Sequence, residues 1–129
     1  MKRVLFTVLL TASGVPFIQA ETRTMKVTAS AYNSLPSQTT VENPALTAWG
    51  DTLEPGMKAI AVSRDLVKEG LTHKVKVRIE GLEGEYVVRD KMHKRWKRKI
   101  DIYMGEDVEA ARDWGKRSVR ISWEEKTKQ

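Results

Sequence analysis

Asp90 and Asp101 are the residues of this sequence best placed to do chemistry. Asp90 closes the segment EYVVRD and Asp101 opens the apolar segment IDIYM. Two strand ends joined by one loop can bring their carboxylates to the same rim of a sheet. Paired carboxylates suit glycoside cleavage, in which one of raised pKa protonates the leaving oxygen and a neighbouring charge or base assists. Strand alternation puts Asp101 and Tyr103 on one face and Ile100 and Ile102 on the other. The same spacing also fits two solvated strand-end aspartates.

The interval between the aspartates, KMHKRWKRK at 91–99, carries six Lys or Arg together with His93 and Trp96. A cationic loop with a central aromatic suits an anionic glycan, the charge attracting the polymer and the indole stacking on a sugar face. A merely solvated loop is the alternative. Nearby cations favour the ionised carboxylate, which works against a raised acid pKa. His73 and His93 are the only histidines and cysteine is absent, so no cluster has the spacing of a metal site. Ser63 has no G-x-S-x-G elbow, and no P-loop or dinucleotide glycine pattern occurs. No cofactor is implied. Trp49, Trp114 and Trp123 read as core residues or barrel-end plugs, with Trp49 the most exposed of the three.

The elements that must position these residues are mostly strands. Residues 25–32 (MKVTASAY) alternate apolar or small with polar, and 59–62 (AIAV) form a short buried strand. Val75, Val77 and Ile79 alternate with Lys76, Arg78 and Glu80, and a turn with two glycines at 81–84 returns the chain through 85–90. Residues 100–104 and 118–123 complete about six strands. Residues 63–70 allow one or two helical turns. At 107–114 a helix is capped by Asp107 and stopped by Gly115. A long loop at 33–57 has no periodicity and reads as functional or mobile, and the polar tail from Glu124 is expected to fray. Without βα alternation, a small β-barrel is the natural solution, because closure removes exposed edges.

The chain opens MKRVLFTVLLTASGVPFIQA, with positive Lys2 and Arg3, an apolar run from Val4 and a small residue at Ala20. This reads as a secretory signal peptide over 1–20, leaving one domain over 21–129. Its apolar part is shorter than the roughly 20 residues a bilayer requires. The expected address is the periplasm or the medium, with no stable membrane anchor after cleavage. The net charge of +6 falls to +4 once Lys2 and Arg3 leave with the leader, and a basic domain outside the cytoplasm points to anionic wall polymers or membrane surfaces and away from nucleic acid. A cysteine-free exported domain must be held by packing alone.

The order of these pieces resembles the bacterial 3D (Asp-Asp-Asp) domain, a relative of the membrane-bound lytic transglycosylase A and rare lipoprotein A families. The resemblance rests on Thr28-Ala29-Ser30-Ala31-Tyr32, Thr47-Ala48-Trp49-Gly50, Ala59-Ile60-Ala61-Val62, Asp90, Asp101-Ile102-Tyr103, Gly105, Ala110, Trp114-Gly115 and Val119. It covers nearly all of residues 27–122. It implies a mainly β fold, a six-stranded double-psi β-barrel with one or two short helices. The implied activity is cleavage of the MurNAc–GlcNAc β-1,4 bond of peptidoglycan without water, leaving a 1,6-anhydro ring. Asp101 would be the catalytic acid and then base, Asp90 its supporting aspartate, and Tyr32 and Thr47 would line the glycan groove.

Two departures stand in the sequence. The family's interval after its second aspartate is small and glycine-rich, T-G-G-A-I-K-G, whereas 91–99 has no glycine; and Ser63 stands where the family has its first aspartate. Three functions are therefore carried forward. The first is an exported lytic transglycosylase-like enzyme whose partners are peptidoglycan strands, with Asp101 and Asp90 catalytic and Tyr32, Thr47, Trp96 and Tyr103 binding substrate. The second is a glycan-binding barrel without turnover. The third is a protein that docks on other cell-wall enzymes through the basic loop.

Overall fold

The computed structural model describes residues 18–35 and 45–128. Six strands are present: β1 (Ile18–Tyr32), β2 (Ala59–Val62), β3 (Lys76–Ile79), β4 (Tyr86–Lys91), β5 (Lys99–Tyr103) and β6 (Arg117–Lys128). Two short helices, α1 (Arg64–Lys68) and α2 (Val108–Trp114), interrupt them. The strands close into a barrel in the order β1-β5-β2-β4-β3-β6. The β1/β5 and β2/β4 pairs are parallel and the others antiparallel.

That order makes two crossings. β1 and β2 flank β5, so the chain between them passes over β5; β4 and β5 flank β2, so their connection passes over β2. The two interlocked units form the double-psi barrel. The strands that each crossing loop joins are not neighbours in the barrel, because another strand lies between them, so no tight turn can link them.

The interior follows from alternation. Val27, Ala29, Ile60, Val62, Val77, Ile79, Val88, Ile100, Ile102, Val119, Ile121 and Trp123 are buried as one cluster. Each is flanked along its strand by a residue of the opposite face, as the two-residue period requires. Leu66 of α1 and the following Leu71 close one part of this core. Trp114 of α2 closes another, its indole N–H donating to the Ala29 carbonyl at 3.2 Å. Arg117 lies over the Trp114 ring at 3.9 Å. Trp114 and Trp123 are thus core residues. Trp49 is half-buried, stacked on His73 with ring centres 5.0 Å apart.

Two strand boundaries differ from the sequence reading by more than one residue. β1 begins at Ile18, and β6 continues through the expected frayed tail to Lys128. Each supplies the other's backbone partners, from Ile18 opposite Lys128 to Ala29 opposite Arg117. A polar strand needs only a paired neighbour to persist, and its composition does not announce one. Of the expected leader at 1–20, residues 1–17 lie outside the described residues. Among the described residues no helix is long and apolar enough to cross a membrane.

Candidate functional site

The site is a row of side chains across four neighbouring strands. Ser30 of β1 is in register with Asp101 of β5. Asp101 is opposite Ala61 of β2, and Ala61 is in register with Asp90 of β4. All four point away from the barrel interior, where Ala29, Ile60, Val88, Ile100 and Ile102 sit. The aspartates therefore share one face, with the small Ala61 between them. Their Cα atoms, two strands apart, are about 10 Å from each other at the usual interstrand spacing.

Asp90 reaches this face because of a defect in the sheet. Tyr86 and Val88 of β4 face the core, and simple alternation would send Asp90 inward after them. The register instead shifts between Ile60, opposite Val88, and Ala61, opposite Asp90. Arg89 is the extra residue, and this bulge turns Asp90 outward. Bulges re-aim side chains in this way and are enriched beside functional sites.

Asp101, Ala61 and Asp90 of this row line an open groove of about 760 Å³. Tyr32, Asp90, His93, Trp96, Asp101 and Arg112 are among its lining residues. The walls come from the 92–98 crossing loop on one side and α2 on the other. Asp107 accepts from the Ala110 amide at 3.0 Å and fixes the start of α2.

Burial pushes Asp101 above the ordinary carboxylate range. The hydrogen bond from the Ser30 hydroxyl at 3.0 Å and the Lys99 charge act in the opposite direction, and the Asp90 charge adds to the rise. The basic loop thus pulls Asp101 down, and burial outweighs it. The Lys99 ammonium lies 3.8 Å from the Trp96 ring centre. Asp90 is also raised by burial, against two backbone amides, with the Asp51 charge adding to the rise. Those amides, Ala48 N–H at 2.7 Å and Lys91 N–H at 2.9 Å, both donate to Oδ1. The Tyr32 phenol is pushed far up by burial and then by the charges of Asp90 and Asp101. Its hydroxyl is buried without a hydrogen-bond partner among the described residues, so the phenol stays protonated. A carboxyl that holds its proton above the usual range, beside a second carboxyl and a phenol, can donate a proton to a bound oxygen.

The other sequence-derived residues have different placements. Thr47 is buried, and its hydroxyl accepts from the Asp51 amide at 2.9 Å, tying a tight turn. Tyr103 faces outward beside Asp101 but is covered, packed with Leu53 and Ala59. Its ring centre is 5.5 Å from that of Tyr32, and its hydroxyl pairs with Ser34 at 2.8 Å. Neither is among the residues lining the groove. Trp96 does line it, yet its ring is approached by Lys99 and by Arg95, the latter at 5.0 Å. Ser63 is fully buried and binds both backbone groups of Lys99, its hydroxyl accepting from the amide at 2.9 Å. Asp65 accepts from the Arg98 amide at 2.9 Å. This pair anchors the exit of the crossing loop, where Arg98 adopts a left-handed backbone without being glycine.

Sequence reasoning missed Ser30, Ala61 and Arg112 as site residues, and the bulge at Arg89. Ser30 was within reach, because it is two residues before Tyr32 on the same strand face. No group of three or more His, Cys, Asp or Glu among the described residues could hold a metal ion.

No protein-family model and no curated protein matches the chain. Among solved structures, an apo expansin of Clavibacter michiganensis is similar at 16% sequence identity and a TM-score of 0.47. The match covers 81% of this chain and 50% of the expansin chain, so the chain spans half the length of that structure.

Proposed function

We propose that the protein is an exported lytic transglycosylase-like enzyme of the 3D-domain type, acting on the glycan strands of peptidoglycan. The observation that carries this reading is the Asp101–Ala61–Asp90 row lining an open groove, with Ser30 bonded to Asp101 beside it. Asp101, protonated, donates its proton to the glycosidic oxygen as the bond from that oxygen to C1 breaks. The sugar's own 6-hydroxyl then attacks C1 and returns its proton to Asp101, forming the 1,6-anhydro ring without consuming water. Ser30 orients Asp101. Asp90 supports it through charge, since ionised Asp90 favours the protonated form of its neighbour. In this reading Tyr32 lines the glycan groove. The cations at 91–99 and Arg112 draw in a strand that carries carboxylates. Export through the leader at 1–20 would place the domain in the periplasm or outside the cell.

A second reading, a glycan-binding barrel without turnover, is favoured by the Lys99 charge and Ser30 hydroxyl, which both stabilise ionised Asp101. Incubation of residues 21–129, and of its Asp101→Asn variant, with purified peptidoglycan separates the two. Anhydro-muropeptides released by the parent and not by the variant, measured by mass spectrometry, support the enzyme. Retention on sacculi with no soluble product supports the binder. If neither release nor retention occurs, both readings fail.

A further inference from the structure

We infer that His73 is a positioning residue, which acts through Asp51 to hold a turn of the first crossing loop against Asp90. The inference deepens the reading above by assigning a role to a cluster that lies outside the groove lining.

The turn at 47–51 is closed by its own backbone, Thr47 N–H to the Asp51 carbonyl at 2.8 Å and Gly50 N–H to the Thr47 carbonyl at 3.0 Å. It presents the Ala48 amide to Asp90 Oδ1 at 2.7 Å. Nothing within the turn fixes its distance from β4; that is set by side chains. Asp51 Oδ2 meets His73 Nε2 at 2.6 Å and lies 3.5 Å from Arg89 Nη1. Trp49 stacks on the His73 ring with planes inclined by 22°, and Lys91 Nζ lies 5.3 Å from the Trp49 ring centre. These contacts all run from the turn to the β3–β4 hairpin or its approach. The bulge residue Arg89 belongs to the clamp, so the element that turns Asp90 outward is also tied to the loop that binds it.

The consequence falls on one oxygen. Asp90 Oδ1 accepts the Ala48 and Lys91 amides, while Oδ2 accepts no bond among the described residues. The clamp thus fixes the carboxylate's rotation and leaves its second oxygen open. The charged and titratable groups facing Asp90 are Asp51, Arg89, Lys91, Asp101 and Tyr32. Release of the turn would remove the Ala48 donor, which stabilises the ionised form. It would also leave Asp51 without its imidazole partner.

Amide hydrogen exchange and carboxyl NMR titration on the free protein test this without any glycan, so a failure of the glycan reading leaves the result intact. In His73→Ala the Ala48 amide is expected to exchange about tenfold faster, the effect of losing one hydrogen bond. The Asp90 titration midpoint should move upward, while amides of β1 and β6 exchange as in the parent. His73→Gln, whose amide can still donate to Asp51, should restore part of both signals. Asp51→Asn keeps the turn's backbone bonds but removes the carboxylate that meets Arg89 and His73, and should also speed Ala48 exchange if the histidine variant does not fold. Unchanged Ala48 exchange in either folded variant, or a His73→Gln protein no better than His73→Ala, would overturn the assignment.

Discussion

The barrel contains two regions built by different rules. The β1–β6 ribbon is long, antiparallel and regular, with unbroken register from Ile18–Lys128 to Ala29–Arg117. Along it the two-residue period holds: Val27, Ala29, Val119, Ile121 and Trp123 face inward, and Lys26, Ser118 and Arg120 face water. The β5–β2–β4 region has short strands, one parallel pairing and a register shift. Its inner face is as well packed as the ribbon's, but its outer face carries Asp101, Ala61 and Asp90 beneath a groove. Regular pairing stabilises a sheet and leaves its outer face to solvent. The irregular region places two half-buried carboxyl groups on one face, which costs stability and creates a site.

The difference can be broken most sharply at the bulge. Inserting one residue between Ile60 and Ala61 gives Arg89 a partner on β2, which should restore simple alternation after Val88 and send Asp90 into the core with it. An uncompensated carboxylate there costs about 3–5 kcal/mol, read as a lowered urea midpoint. An insertion variant as stable as the parent would show that the bulge does not set the orientation of Asp90. Next in size is Ile102→Ala on the inner face of the same region, with an expected loss of about 2–5 kcal/mol from lost burial and the cavity left behind. A loss well below that range would mean the region's core is loosely packed, unlike the ribbon's.

Asp101→Asn should abolish any glycan cleavage and yet stabilise the fold at neutral pH by about 1 kcal/mol. The sign follows from the raised folded-state pKa. Such a carboxyl contributes stability that is present below its unfolded pKa and lost as pH rises through the folded one. The parent is therefore penalised at pH 7 for burying an ionised Asp101, and the asparagine is not. Urea unfolding at neutral pH and again below the ordinary carboxylate range checks this, with the advantage vanishing at the lower pH. An asparagine variant less stable than the parent at pH 7 would contradict the direction assigned to Asp101. The smallest effect belongs to the ribbon's wet face. Thr24→Ala should change stability by no more than about 0.5 kcal/mol, and a larger loss would show that the ribbon's outer face is not passive.

The inner face of the barrel was legible in the residues themselves. Alternation at 75–79, the turn with two glycines, the apolar AIAV segment and the Ile100/Ile102 pair each placed a strand close to where it lies. Asp107 and Gly115 marked the ends of α2. The shared face of Asp101 and Tyr103 was also correctly read, since period two is a property of the chain alone. The extent of the β1–β6 ribbon was not legible, because polar strands persist only where a distant partner supplies their hydrogen bonds.

The candidate site divides in the same way. The sequence by itself determined which residues carry carboxylates, that Asp90 and Asp101 end adjacent strand segments, and that six cations lie between them. It did not determine that Asp90 faces outward, because a bulge exists only relative to the neighbouring strand that skips a residue. Nor could it show that Thr47 is spent on a turn, that Tyr103 is covered, or that Lys99 rests on Trp96. Those depend on what packs against each side chain. The pKa directions were decided last and only by tertiary structure. Loop cations alone argue for ionised aspartates, but burial between β1, β2 and the crossing loop outweighs them, and burial is a property of the folded barrel.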